Sequence, residues 1–333
     1  MRAAILVVLL ASCAFAQTWQ PNIINARFET VAFTGDLAAQ LHASTPTWFG
    51  YAVKSVRMDD GNECHSRLER GWETRGERGD AGPVHLEQST AAVVLLRVNG
   101  NEIQKVQVHP LSCQIDADGM PLVWLTGVPS PTSIEFLEKL VRSDDTLEGA
   151  ILAISLHDNP KADTVMERLT CSDQPEKTRE KAIFWLGVNR GSRGVELLGN
   201  LLKNDPSEHI RDKAVFALFV SKQPRALALL ISAAKNDPSG HVRGQALFWL
   251  AQKAGQRASA LIIDAIRDDP DTEVKKRAVF ALSQLPKDEG VPKLIEVAQT
   301  QKNAEVRKQA FFWLGQSQDP RAVQFITHVL AGD

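Results

Sequence analysis

Val242-Arg243-Gly244-Gln245-Ala246-Leu247-Phe248-Trp249-Leu250 returns 64 residues later as Val306-Arg307-Lys308-Gln309-Ala310-Phe311-Phe312-Trp313-Leu314-Gly315. Half-way between the two stands a third copy, and working outward gives a ruler. Ala182, Ala214, Ala246, Ala278 and Ala310 are spaced 32 residues apart. Four positions before each alanine come Thr178, Ile210, Val242, Val274 and Val306; three before come Arg179, Arg211, Arg243, Lys275 and Arg307. Two after come Phe184, Phe216, Phe248, Phe280 and Phe312, and four after come Leu186, Leu218, Leu250, Leu282 and Leu314. A degenerate sixth copy is anchored at Ala150 with Leu152 and Ile154, but Leu147 stands where the basic residue belongs. An atypical terminal unit is what a stacked array requires.

Each period encodes two helices. Apolar residues at −4, 0, +1 and +4 from the alanine fall on one stripe of a first helix. Val195 to Leu202, Ala226 to Ala234 and Ala258 to Ile266 show helical spacing again and predict a second helix. Asp205-Pro206, Asp237-Pro238 and Asp269-Pro270 stop that second helix, because proline drives the preceding residue out of helical conformation. Ser207, Ser239, Asp271 and Asn303 then stand in register as N-caps of the next first helix.

These phrases resemble HEAT repeats, in particular the short HEAT-like type named after phycobilisome lyases, over residues of about 133–333. The resemblance implies a right-handed α-solenoid of helical hairpins, about six repeats of 32 residues, acting as a scaffold for protein partners. Metal-dependent hydroxylases built on such repeats carry His-Glu dyads, and this sequence contains no His-Glu dipeptide. Bilin lyases lack an export signal and act on cytoplasmic antenna proteins. Neither activity carries over, and the expectation is a non-enzymatic protein without cofactors.

The composition agrees with a folded, protein-binding chain. Of 333 residues 44% are apolar, and 38 basic against 40 acidic side chains leave a net charge of −2. That excludes disorder and the basic excess of a nucleic-acid binder. Met1-Arg2, the apolar run Ala3 to Ala11 and Ala14-Phe15-Ala16 read as a secretory signal peptide, residues 1–16, which implies a periplasmic or secreted protein. Leu10-Ala11-Ser12-Cys13 offers a minor alternative, a lipid anchor at Cys13. Nothing later is long and apolar enough to span a membrane. In an oxidising compartment Cys64 and Cys113 are the natural disulfide pair, leaving Cys171 as a buried thiol among the helices.

Two surfaces are candidates for a partner. On the second helices Asn200, Ser232, Asp264, Glu296 and His328 share one register, with Lys203, Lys235, Arg267 and Gln299 three residues further on the same face. The mixed signs point to protein or peptide. The other is the phenylalanine series, above all Phe216, Phe248 and Phe280: at +2 it lies about 200° from the alanine. It forms either the packing between repeats or an exposed aromatic ridge. Trp185, Trp249 and Trp313 at +3 alternate with Ala217 and Ala281, large against small, as interdigitation asks. The basic residues at −3 and the series Asp173, Asp205, Asp237 and Asp269 predict a structural ion ladder. His209 and His241 occupy equivalent positions but do not by themselves make a metal site.

Residues 17–132 have another texture, that of a small α+β or β-rich domain. Val84 to Val98, an Asn99-Gly100 turn and Ile103 to Val108 predict a hairpin; Asp118-Gly119, between Ile115 and Leu122, predicts a second. Asp36 to Ala43 predicts a short helix, Gly71, Gly76, Gly79 and Gly82 a mobile charged loop, and Val128-Pro129-Ser130-Pro131 the linker. His109 and Cys113 lack the partner pattern of a zinc site, and neither a phosphate-binding loop nor a nucleophile motif occurs. An enzyme or metal-binding protein with its site in this domain, the solenoid recruiting substrate, is the alternative function.

Overall fold

The computed structural model describes residues 19–58, 64–69 and 89–331. The expected signal peptide and Cys13, the glycine-bearing loop and the start of the first hairpin strand lie outside the described residues. The chain divides into two compact units, 1–136 and 137–333.

The first unit is built on two sheets. Strands β1 (Asn22–Ile24), β7 (Gln114–Asp116) and β4 (His65–Arg67) pair in parallel in the order β1-β7-β4. The larger sheet runs β2 (Arg27–Ala32), β8 (Pro121–Thr126), β3 (Ala43–Met58), β5 (Ser89–Gly100), β6 (Glu102–Pro110), parallel in its first three strands and antiparallel in the rest. Between β2 and β3 lies the one-turn helix α1 (Leu37–Gln40), capped by Asp36. Val93 and Leu95 of β5 are fully buried with Trp48, Leu122 and Trp124, and this cluster is the core of the unit.

Two turns behave differently from their sequence reading. Asn99 pairs with Glu102, so the β5–β6 turn is Gly100-Asn101, with Gly100 at φ 63° as a two-residue hairpin turn with a leading glycine demands. Asp118-Gly119 is a tight turn, φ 52° and 78°, but joins no hairpin. The neighbours of β7 are the parallel strands β1 and β4, and those of β8 are β2 and β3. The turn therefore hands the chain from one sheet to the other.

Helix α2 (Ser130–Leu140) begins inside the expected linker, because a proline at 131 costs little in a first turn whose N–H groups have no helical acceptor. Six helix pairs follow. First helices are α3 (Asp144–Leu156), α5 (Glu176–Asn189), α7 (Glu208–Val220), α9 (Gly240–Ala254), α11 (Thr272–Ser283) and α13 (Ala304–Gln316). Second helices are α4 (Pro160–Leu169), α6 (Gly191–Asn204), α8 (Arg225–Asn236), α10 (Ser259–Asp268), α12 (Lys287–Thr300) and α14 (Pro320–Ala331). All six frame alanines, Ala150 to Ala310, are fully buried, and the +4 leucines nearly so. Ser207, Ser239, Asp271 and Asn303 cap their helices through side-chain oxygens, as their register requires. Asp205, Asp237 and Asp269 end α6, α8 and α10 in extended conformation before their prolines.

Candidate functional site

The array offers an inner ladder, an aromatic ladder and an open strip. The inner ladder is ionic. Arg211 of α7 donates to both carboxylate oxygens of Asp237 at 2.9 and 3.1 Å, and a third nitrogen reaches the carbonyl of Asp205 at 3.0 Å. Arg243 repeats the set one unit on, with Asp269 at 2.8 and 2.9 Å and the Asp237 carbonyl at 2.9 Å. Arg179 reaches the Asp205 carboxylate through one nitrogen only, and its Nε donates to the Thr170 carbonyl at 2.8 Å. Each guanidinium thus binds the end of its own second helix to the loop before its own first helix. The bonded carboxylates hold the Arg211 and Arg243 pKa values above the usual. In the next unit both members change together: Lys275 holds the arginine's place in the frame and Gln301 the aspartate's, and the Lys275 Nζ donates to the Arg267 carbonyl at 2.9 Å.

The aromatic ladder runs without a break from Phe184 to Phe312. Phe184 stacks on Phe216 (6.2 Å between centroids), Phe216 meets Trp249 (5.0 Å), Trp249 meets Phe248 (4.8 Å). Phe248 stacks on Phe280 (5.4 Å), Phe280 meets Trp313 (4.8 Å), and Trp313 meets Phe312 (5.0 Å). Trp249 and Trp313 each reach back to the phenylalanine of the preceding unit, whose own +3 residue is alanine. The large-small alternation is the geometry of this contact. Phe216, Phe248 and Phe280 are half-buried, with rings engaged across repeats. Packing between repeats is therefore their visible work.

The strip on the second helices is open. Asn200, Lys203, Ser232, Lys235, Asp264, Arg267 and Glu296 are all exposed, as are Gln299 and His328. The only tie across two of these positions among the described residues is Arg267 to Asp264 at 2.7 Å, three residues apart on α10.

The outward side of the first helices carries a ladder that spacing within one repeat does not reveal. His209 of α7 bonds Glu180 of α5 and lies 4.0 Å from Glu176. One repeat on, His241 lies 3.7 Å from Asp212. One repeat earlier, the equivalent position holds Lys177, bonded to Asp144 of the preceding first helix. The position facing a carboxylate on the preceding helix thus takes a nitrogen-bearing side chain, Lys177 first and histidine twice. Burial raises the Glu180 pKa, but His209 and Lys213 outweigh it and hold it below the usual range. Glu176, Glu180 and His209 could together offer three ligand atoms, yet Lys213, 3.7 Å from Glu180, already supplies positive charge there. The 29-residue offset from acid to histidine was the available signal.

In the first unit Cys64 and Cys113 form a disulfide, with Cα atoms 4.7 Å apart, beneath the Trp48–Trp124 core. His109 lies within reach of both sulfurs, and burial pushes its imidazole down to about 4. The disulfide engages both thiol ligands such a trio would need. Cys171 is exposed, contrary to its sequence reading. It falls in the turn after α4, off the apolar stripe, where its sulfur reaches only the Glu167 carbonyl at 3.6 Å.

Residues 162–251 and 259–333 match the HEAT-repeat family. Among solved structures the chain is similar to human deoxyhypusine hydroxylase, at 16% identity over 60% of this chain and 90% of that one (TM-score 0.31). It is also similar to the CpcE–CpcF complex of phycocyanin lyase from Nostoc, at 19% identity over 60% and 81% (TM-score 0.31). Kap95p, solved with RanGDP, gives 16% identity over 60% of this chain and 31% of that one (TM-score 0.38). Among curated proteins none matches the chain.

Proposed function

This chain is a HEAT-repeat protein over residues 162–333, and we propose that it is an exported, non-enzymatic scaffold that holds a protein or peptide partner along its second-helix strip. The observation that carries this reading is the contrast between surfaces. Charged groups on the inner and first-helix faces are tied into ladders, whereas Lys203 and Lys235 stand exposed in one register on the consecutive second helices α6 and α8, and Glu296 stands exposed three positions before that register on α12. Repeat arrays bind partners through such extended faces, and a strip of both signs matches a peptide rather than a polyanion. Export is supported by the reading of residues 1–16 and by a Cys64–Cys113 disulfide, a bond that persists in oxidising compartments.

The test is a triple change, Lys203→Glu, Lys235→Glu and Arg267→Glu, compared with the parent in co-purification from the native cell envelope. The expected result is loss of a partner that the parent retains, with an unchanged melting temperature. Retention of every partner would refute the strip. Phe216, Phe248 and Phe280 changed together to Ser serve as contrast and lower the melting temperature. Mass spectrometry of the mature N-terminus checks export: Gln17, free or cyclised, is expected, and a lipid-modified Cys13 would replace the soluble form with an anchored one.

A further inference from the structure

Three ligand-type side chains meet within the first unit, and two backbone bonds bring them there. The Cys113 amide donates to the Pro110 carbonyl at 3.0 Å, a tight turn that folds Cys113 back beside His109 of β6. The Gln114 amide donates to the Cys64 carbonyl at 2.9 Å, which lays β4 and the cysteine before it against the same turn. One imidazole nitrogen of His109 and the two sulfurs thereby lie within 4.8 Å of one another. His109 and Cys113 are 1% and 0% exposed, whereas Cys64 is only partly buried, on the side toward the surface. The His109 Nε2 stands 3.3 Å from Gln107 Oε1. An N–H donated there is the outer bond that orients a ligating imidazole, and it leaves the lone pair on Nδ1.

We propose that, once the Cys64–Cys113 disulfide is reduced, Cys64, Cys113 and His109 hold a divalent metal ion of the zinc class. A dithiol balances the redox step: its two electrons and two protons pass to the disulfide, giving two thiols here and a disulfide on the reductant. Metal binding then releases the two thiol protons to solvent, and the ion takes two thiolates and one neutral imidazole. Charge selects the ion. Two thiolates cancel a divalent cation, so the buried complex is neutral, whereas a monovalent ion would leave a net negative charge in a buried place. Sulfur and nitrogen donors disfavour magnesium and calcium, which take oxygen. Bonds of about 2.3 Å to sulfur and 2.0 Å to nitrogen set tetrahedral ligand atoms about 3.5–3.8 Å apart, inside the span the trio already occupies. Three protein ligands leave a fourth position for water on the Cys64 side. Disulfide and ion thus tie the same two segments alternately, and reduction is the gate. This inference is independent of the second-helix strip.

The experiment uses the full chain with Cys13→Ser and Cys171→Ser, which leaves Cys64 and Cys113 as its only cysteines. After reduction with dithiothreitol and anaerobic desalting, cobalt(II) and then zinc are titrated. The reduced chain is expected to bind one cobalt(II) with thiolate-to-metal charge-transfer absorption that zinc abolishes, and the oxidised chain to show none. His109→Gln, which keeps both cysteines, is expected to weaken binding by the reduced chain about a hundred-fold or more, since losing only an outer partner of a ligand costs about 10–100-fold. Urea unfolding followed by circular dichroism guards against loss of the fold. Zinc is expected to raise the midpoint of the reduced chain and to leave that of the oxidised chain unchanged. A reduced chain that takes up no ion overturns the proposal, whether it stays folded or unfolds without recovery on adding zinc. So does equal binding by the oxidised chain or by His109→Gln.

Discussion

The inner ladder can be broken at one rung. Asp237→Ala removes a carboxylate that accepts two bonds from Arg211 and one from the Ser239 amide at 2.9 Å. The pair is buried, side-chain exposure being 8% for Arg211 and 2% for Asp237, so the variant leaves a buried guanidinium without the carboxylate bonded to it. Breaking one partner of such a pair costs about 3–5 kcal/mol. Counting the bonds gives the same scale, about 1.5–3 kcal/mol for each of two bonds to a charged group. Asp264→Ala is the control: its pair with Arg267 is 52% and 64% exposed, and removal moves stability by about 0–1 kcal/mol. A third variant comes from the protein itself. Arg211→Lys with Asp237→Gln reproduces the Lys275/Gln301 combination, and the double change costs less than the sum of its single changes. Urea denaturation followed by circular dichroism at 222 nm, with all variants at one pH, gives these differences. An Asp237→Ala cost below about 1 kcal/mol would refute the view that the ladder joins the repeats, as would strict additivity in the double variant.

Other predictions follow from single sites. Gly187 and Gly315 hold the same frame position, five after the alanine, but a Cβ on Gly187 would stand 2.3 Å from the Ala217 carbonyl oxygen and one on Gly315 meets nothing. Gly187→Ala therefore destabilises by about 1–3 kcal/mol, and Gly315→Ala is neutral or stabilising by up to about 1 kcal/mol, as thermal melts will show. Cys113→Ala opens a loop of 49 residues and costs the first unit about 4 kcal/mol on the chain-entropy account, measurable by urea titration with and without reductant. Burial lowers both His109 and His157 from 6.5 to about 4, so between those values the unfolded chain binds protons that the folded chain refuses. Stability falls as pH falls from 6.5 to 4, by about 3 kcal/mol per histidine at the acid end, and His157→Gln flattens that slope in urea midpoints taken at pH 7 and 4.5.

A translational period makes some contacts legible and hides others. The alanine frame, the caps and the helix stops are properties of one repeat, and each can be written as a position on the ruler. The Arg–Asp rung is also legible, because both series are regular and their offset is 26 residues. The His209–Glu180 pair needs the further step of setting the face of one repeat against the next, and its members look unrelated while each is read within its own repeat. Residues 17–132 have no such ruler. There Ile115 and Leu122 flank good turn chemistry, yet the strands beside β7 come from positions 22–24 and 65–67 and those beside β8 from 27–32 and 43–58. Pairing in that unit is set by long-range closure, including the Cys64–Cys113 link that places β4 alongside β7, and turn residues cannot encode it.

The same logic bears on where binding energy could reside. A side chain committed to a ladder has its partners within the fold, and recruiting it to a ligand means first losing a bond worth as much as the one gained. Phe216 and Arg211 are committed in this sense. Lys203, Lys235 and Glu296 are solvated, and the cost of engaging them is desolvation and side-chain entropy alone. Charge reversal on the strip should therefore alter partner affinity at constant stability, whereas changes in the ladders alter both together. A partner that is lost only when stability is lost would place its contacts on the ladders instead.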